Sequence, residues 1–208
     1  YHAAQGYIAK LVRAGKRVAI CEQTEDPTQA KGIVKRDVVK IVSPGVVTDD
    51  QILDDRSNNY VAAIARKDTG KNTVYGLSLL DVSTGTFLAG EFHCQVSTYE
   101  EVIDQLTRFQ PSEVVINQAD ESLHKPLITT LEVLLPGICI TSRDHLHFHK
   151  ESAHELLLDH FSVLSLEGFG FHKNNLGIIS AGVLLDYSLE TQKSPLDHIE
   201  SISTIELD

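Results

Sequence analysis

Along the first 45 residues, apolar positions recur in two rhythms. Ala4, Ile8, Leu11 and Val12 fall at i, i+4, i+7 and i+8, one face of an amphipathic helix, and Gly15 follows where a left-handed cap belongs. Val18 and Ile20 then alternate with Arg17, Ala19 and Cys21, the period of a half-buried strand. Asp26 and Pro27 read as an N-cap and first helical position, opening a short helical turn that ends at Gly32. Residues 38–42 predict a second strand, stopped by Ser43, Pro44 and Gly45.

Past that punctuation the pattern becomes denser. Residues 60–65, 73–82 and 86–92 are three β-rich runs, joined through Asp68, Thr69 and Gly70 and then through Ser83, Thr84 and Gly85. Loops that short predict an antiparallel meander. Thr98 with Glu101 predicts a capping box, ahead of a helical stripe of Val102, Ile103, Leu106 and Phe109 that Pro111 closes. Strand 114–117, helix 123–135, strand 138–141 and helix 153–161 follow in alternation. Gly168 and Gly170 bracket Phe169 as a break. After them Leu176, Ile179, Val183 and Tyr187 mark a helix ending near Lys193, before Ser194 and Pro195. A meander followed by alternating helix and strand predicts an α/β fold, a mixed sheet with helices packed on it.

Charge divides the chain where the rhythm changes. The net charge is −11, yet residues 1–45 hold eight Lys/Arg against four Asp/Glu, so that segment carries +4 and the remainder −15. One-signed charge on one segment points to an electrostatic contact made there. The 42% hydrophobic content is enough for a sizeable core. Cys21, Cys94 and Cys139 are odd in number and form no C-x-x-C pair, which argues against a disulfide framework or zinc knuckle and for a reducing, cytoplasmic setting. No apolar run approaches the ~18 residues of a membrane span. The chain opens at Tyr1 and contains no Met, as expected of a segment of something longer.

The opening stretch is the most specific. YHA, a helix ending AKLVRAG, then RVAICEQ, a DP pair, AKG, KR, a valine-rich strand and PG follow one another in an order that resembles the bacterial MutS family of DNA mismatch-repair proteins. LLDVSTGTF at 79–87, and LEGFGF through AGVLLDYSLETQKSPLDHI at 166–199, resemble the same family, and the likeness thins between 117 and 161. The resemblance implies three parts: the end of a mismatch-binding domain at 1–45, a connector domain of ribonuclease H-like arrangement at 46–190, and the start of a core or lever domain at 191–208. It implies a connector that transmits conformational change between a DNA clamp and an ATPase, a MutL-type matchmaker as partner, and a homodimeric parent using ATP and Mg. It also implies that the Phe-x-Glu motif reading the mismatch precedes Tyr1, so this piece should bind double-stranded DNA weakly and without mismatch preference.

Gln23 and Arg36 match family positions that support DNA-backbone contact, with Lys31, Lys35 and Lys40 nearby; alternatively Gln23 caps local backbone and Arg36 pairs with Asp37 or Glu25. Pro44 and Gly45 at one end, and Gly168 and Gly170 at the other, are expected as hinges. A different class of function, a metal-dependent ribonuclease H-like nuclease, would need Asp81 joined by Glu91 and Glu113 around two metal ions; otherwise Asp81 caps the 83–85 turn. His145, His147 and His149 would share one face of an extended strand, with His154 and His160 following, but no Cys or clustered carboxylate completes a zinc set. Gly15-Lys16 is followed by Arg17 and has Lys10 where a P-loop has its first glycine, so no nucleotide site is expected. No G-x-S-x-G elbow is present, and no catalytic residue or bound metal is assigned.

Overall fold

A computed structural model describes residues 2–26, 32–47, 58–95, 98–172 and 174–206. The helical turn expected between Pro27 and Lys31 lies outside them. The first lobe is helix α1 (His2–Arg13) packed on an antiparallel ribbon of β1 (Val18–Gln23) and β2 (Arg36–Val42). Gly15 takes φ +74° and donates its N–H to Val12 O, the left-handed cap that ends α1. Ile8 and Val12 of the helix meet Val18, Ile20 and Val42 of the ribbon, and Val47 completes this small core.

The larger body is built on a six-stranded sheet. Its strands are β3 (Val61–Asp68), β4 (Asn72–Asp81), β5 (Thr86–Gln95), β6 (Glu113–Asn117), β7 (Cys139–Arg143) and β8 (Ser203–Thr204), in the order β7-β6-β3-β4-β5-β8. The pairs β3/β4 and β4/β5 are antiparallel, the expected meander, whereas β3/β6, β6/β7 and β5/β8 are parallel. The alternation that marks these strands sends odd and even residues to two separate cores. Ala62, Ile64, Leu77, Leu79, Val114 and Ile116 face α2 (Glu100–Phe109) and α3 (Glu121–Leu134). Val61, Ala63, Leu80, Phe87, Ala89 and Val115 face α4 (Lys150–Phe161) and α5 (Leu176–Gln192). Each Leu, Ile, Val or Phe so buried contributes roughly 1.5–3 kcal/mol relative to exposure.

α5 is apolar around most of its circumference because it is buried that way: one side lies on the sheet and the other against α4. Glycines permit the approach. A Cβ on Gly76 would stand 2.2 Å from Leu176 O, and one on Gly182 2.4 Å from Ala153 Cβ. Glu91 of β5 accepts the Leu176 N–H, and Asn175 caps the helix through Gly177 N–H. The expected boundary after residue 190 therefore falls inside a packed helix. The chain beyond it continues into the same core through Leu196, Ile199 and Ile202, and adds β8 to the sheet edge.

Two local expectations are corrected. α2 starts at Glu100, so Thr98 lies upstream of the N-cap position; its hydroxyl donates to Gln95 O, and Glu101 faces the Cys94 thiol, leaving no capping box. Residues 145–148 form a 3-10 turn rather than an extended strand, because Asp144 accepts the Leu146 N–H and starts a turn. Among the described residues no helix is long and apolar enough to cross a membrane.

His124 of α3 is 1% exposed beside the Tyr75 ring, and neither ring nitrogen finds a hydrogen-bond partner among the described residues. Burial, aided by the nearby Arg66 charge, lowers its pKa to about 4. An imidazole in the unfolded chain titrates near 6.5, so the unfolded state takes the proton first as pH falls. The associated stability is whole above pH 6.5 and is lost by about 3 kcal/mol as pH falls toward 4. Urea unfolding at pH 7 and pH 4.5 should show a larger drop for the wild type than for His124→Leu; equal drops would mean that His124 accepts a proton in the folded state.

Candidate functional site

The ribbon register brings two of the expected DNA contacts together. Gln23 is the cross-strand partner of Arg36, so both side chains project from one face of the pair, and both are exposed. Lys35, also exposed, precedes Arg36 at the same end, where Thr24 N–H donates to Lys35 O and prolongs the pairing. The carboxylates weighed as partners for Arg36 are engaged locally: Glu25 accepts the Lys35 N–H at 3.1 Å and Asp37 the Val38 N–H at 2.8 Å. Lys40 pairs with Ile20 farther down the ribbon, and Lys31 lies outside the described residues. Val39 is the extra residue of a bulge between Ile20 and Cys21, which adds local twist to the ribbon. An exposed guanidinium, an ammonium and an amide on one edge can hold phosphates without reading bases.

The residues expected as hinges occupy different settings. Pro44 and Gly45 form a tight turn between Ser43 and Val46. Asn59 Nδ2 donates to Pro44 O, Gln192 Nε2 to Val46 O, and Gly45 N–H to Glu113 Oε2 at 3.1 Å. Gly168 and Gly170 lie in and after a 3-10 turn, Glu167–Phe169, between α4 and α5. Gly170 has φ +88° as its cap, and the Phe169 ring packs tilted against Phe161 with centroids 5.3 Å apart. Elements on both sides of these glycines pack on the same sheet, which places them inside the body rather than at its far end.

The carboxylates of the nuclease reading do not converge. Asp81 is 1% exposed and accepts from Ser83 N–H (2.9 Å), Ser83 Oγ (2.6 Å), Thr84 N–H (3.3 Å) and Asn59 N–H (3.2 Å), the cap of the 83–85 turn. Glu91 is spent on the α5 N-terminus and on His93. Glu113 is 0% exposed and accepts from Thr141 Oγ1 and Tyr187 Oη, each at 2.6 Å, besides Gly45. Burial and then the Glu113 charge raise the Tyr187 phenol well above its usual value, and the same two causes raise the Cys139 thiol. No group of three or more His, Cys, Asp or Glu is arranged to hold a metal ion among the described residues. The nuclease alternative is without support.

His145, His147 and His149 each face a carboxylate instead of one another, and His160 bonds Ile199 O. His145 meets Asp144, His147 meets Asp186, and His149 meets Glu151. Arg143, 7% exposed, joins the second pair by bridging Asp186 and Glu190 at 2.9 Å each. Cys21, Cys94 and Cys139 are free thiols.

Sequence reasoning passed over the residues that surround Glu113. Tyr187 read as one member of an apolar helical stripe, and Thr141 as the end of a strand. A carboxylate at the head of the apolar run Val-Val-Ile was the available signal, because a strand buried on both faces admits a charge only where donors await it.

Two family models match the chain, one described as MutS domain I over residues 1–51 and one as MutS domain II over residues 59–200. Similar curated proteins named DNA mismatch repair protein MutS include that of Chlorobium limicola, 42% identical over 208 residues, that of Alkaliphilus metalliredigens, 39% over 203, and that of Methanococcoides burtonii, 42% over 207. These alignments cover 99%, 98% and 98% of this chain but only 23%, 22% and 22% of those proteins, so the chain spans under a quarter of their length. With a small basic lobe matching domain I and a mixed α/β body matching domain II, the chain belongs to the MutS family.

Proposed function

We propose that this chain is the connector-bearing segment of a mismatch-repair ATPase, touching the duplex backbone through the β1–β2 ribbon and relaying motion between that grip and the rest of the protein. The observation that carries the DNA contact is the register that sets Gln23 opposite Arg36 on an exposed face beside Lys35, within the net-positive residues 1–45, at +4. The similar proteins' shared name supports the repair context. A ribonuclease H-like reading of the connector is supported by a three-stranded antiparallel meander whose first strand is flanked by two further strands running parallel to it, with helices on both faces.

In this reading the acidic body, which shares the −15 outside residues 1–45, avoids nonspecific duplex contact and leaves a face for a MutL-type matchmaker. The whole protein works as a cytoplasmic homodimer driven by ATP with Mg²⁺. The residues present here do not fit a nucleotide phosphate: the Gly15–Lys16 turn leads from helix into strand, the reverse of a phosphate-cradling loop that leads from strand into helix.

Duplex binding followed by fluorescence anisotropy at several salt concentrations tests the ribbon. Arg36→Ala should weaken binding to any sequence and lower the slope of log affinity against log salt by about 0.9. An unchanged slope would remove Arg36 from the contact. Matched and mismatched duplexes should bind this chain equally well; a preference for the mismatch would assign base reading to residues 1–45.

Incubation with Mn²⁺ and labelled nucleic acid separates the relay from a nuclease. Neither the wild type nor Asp81→Ala should cut. The variant should instead lose stability by roughly 2–4 kcal/mol in urea titration, since it removes the acceptor of four donors. Cleavage by the wild type that disappears in Asp81→Ala would restore the nuclease.

A further inference from the structure

We propose that Glu113 is a two-state latch that fastens the Ser43–Val46 turn to α5 and β7, so that the joint between the lobes opens as a discrete event and not as a soft hinge. Its carboxylate is fully buried, and its three donors come from three different parts of the molecule: Gly45 from the joint, Thr141 from β7 and Tyr187 from α5. Among the described residues no Lys or Arg forms an ion pair with it. Hydrogen bonds alone hold the group, and such a buried polar set is favourable only when complete, because losing one donor leaves an oxygen without water or partner.

The packing enforces the same choice. A Cβ on Gly45 would stand 2.7 Å from both Glu113 Cβ and Val61 Cβ, so the turn sits directly on the heads of β3 and β6. Val46 is buried in the α5 side of the large core, while Val47, the next residue, enters the small core of the first lobe. Asn59 ties the turn a second time, donating to Pro44 O and accepting the Ser112 hydroxyl at 2.6 Å. Displacing α5 moves Tyr187, and with it both the Glu113 network and the Gln192 bond to Val46 O. A packed, fully bonded joint of this kind is bistable.

This rests on the relay reading for its biological purpose but not for its test, which needs neither DNA, nucleotide nor partner. Hydrogen exchange on the 208-residue chain compares the wild type with Glu113→Gln and Tyr187→Phe. Both variants should exchange the amides of Val42, Ser43, Gly45, Val46 and Val47 about tenfold faster or more, while the centre of β4 around Leu77 and Leu79 stays protected. Unchanged protection at 42–47, or an equal loss throughout the sheet, would overturn the latch. Should Glu113→Gln fail to fold, Tyr187→Phe decides alone, since it deletes one hydroxyl and keeps the ring. A negative result would leave the ribbon's duplex contact standing, and failure of duplex binding would leave the latch standing.

Discussion

Burial of both faces of one sheet is the constraint from which the rest of this molecule follows. Strands β3, β4 and β6 have no wet side, so helices must cover both faces, α2 and α3 on one and α4 and α5 on the other. That requirement explains why α5 carries apolar residues around its axis and why glycines stand where it meets β4 and α4. It also explains the treatment of polar groups. Asp81 and Glu113 flank the start of β3, each enclosed by donors, since a carboxylate in that position is tolerated only with its hydrogen bonds complete.

Much of this was legible from residue types alone. The odd and even positions of 61–64, 77–80 and 114–116 enter opposite cores as a two-residue period demands, and Asp81 before Ser-Thr-Gly was readable as a turn cap. The failures have different causes: a helix start shifted by a residue, a local turn, and a strand made by a distant partner. Thr98 and Glu101 have the right spacing for a capping box, but the helix begins at Glu100. His145, His147 and His149 alternate on paper, yet Asp144 nucleates a turn through them. β8 is two residues long, and nothing in Ser203–Thr204 announces a strand; pairing with β5 and the buried Ile202 and Ile205 create it. The basic character of the ribbon was legible as composition, whereas the pairing of Gln23 with Arg36 depends on the bulge at Val39, which no propensity reports.

The two lobes differ in electrostatic character as sharply as in size. Positive charge is concentrated on the small lobe, while the acidic residues lie mostly on the larger body, where several act on nearby cations: Asp186 and Glu190 hold Arg143, and Arg143 lies over the Tyr187 ring at 5.4 Å. Arg17 adds a basic group on the small-lobe side, near enough to influence both Tyr187 and Cys139. Charges of opposite sign thus meet around the same aromatic ring that donates to Glu113.

Val46 and Val47 fasten the two lobes together at adjacent residues. Val46, bridged across the turn to Ser43, enters the large core, and Val47, one peptide bond on, enters the small one. A residue inserted between these two valines would draw one of them out of its core, since a single peptide bond is all that separates the two destinations.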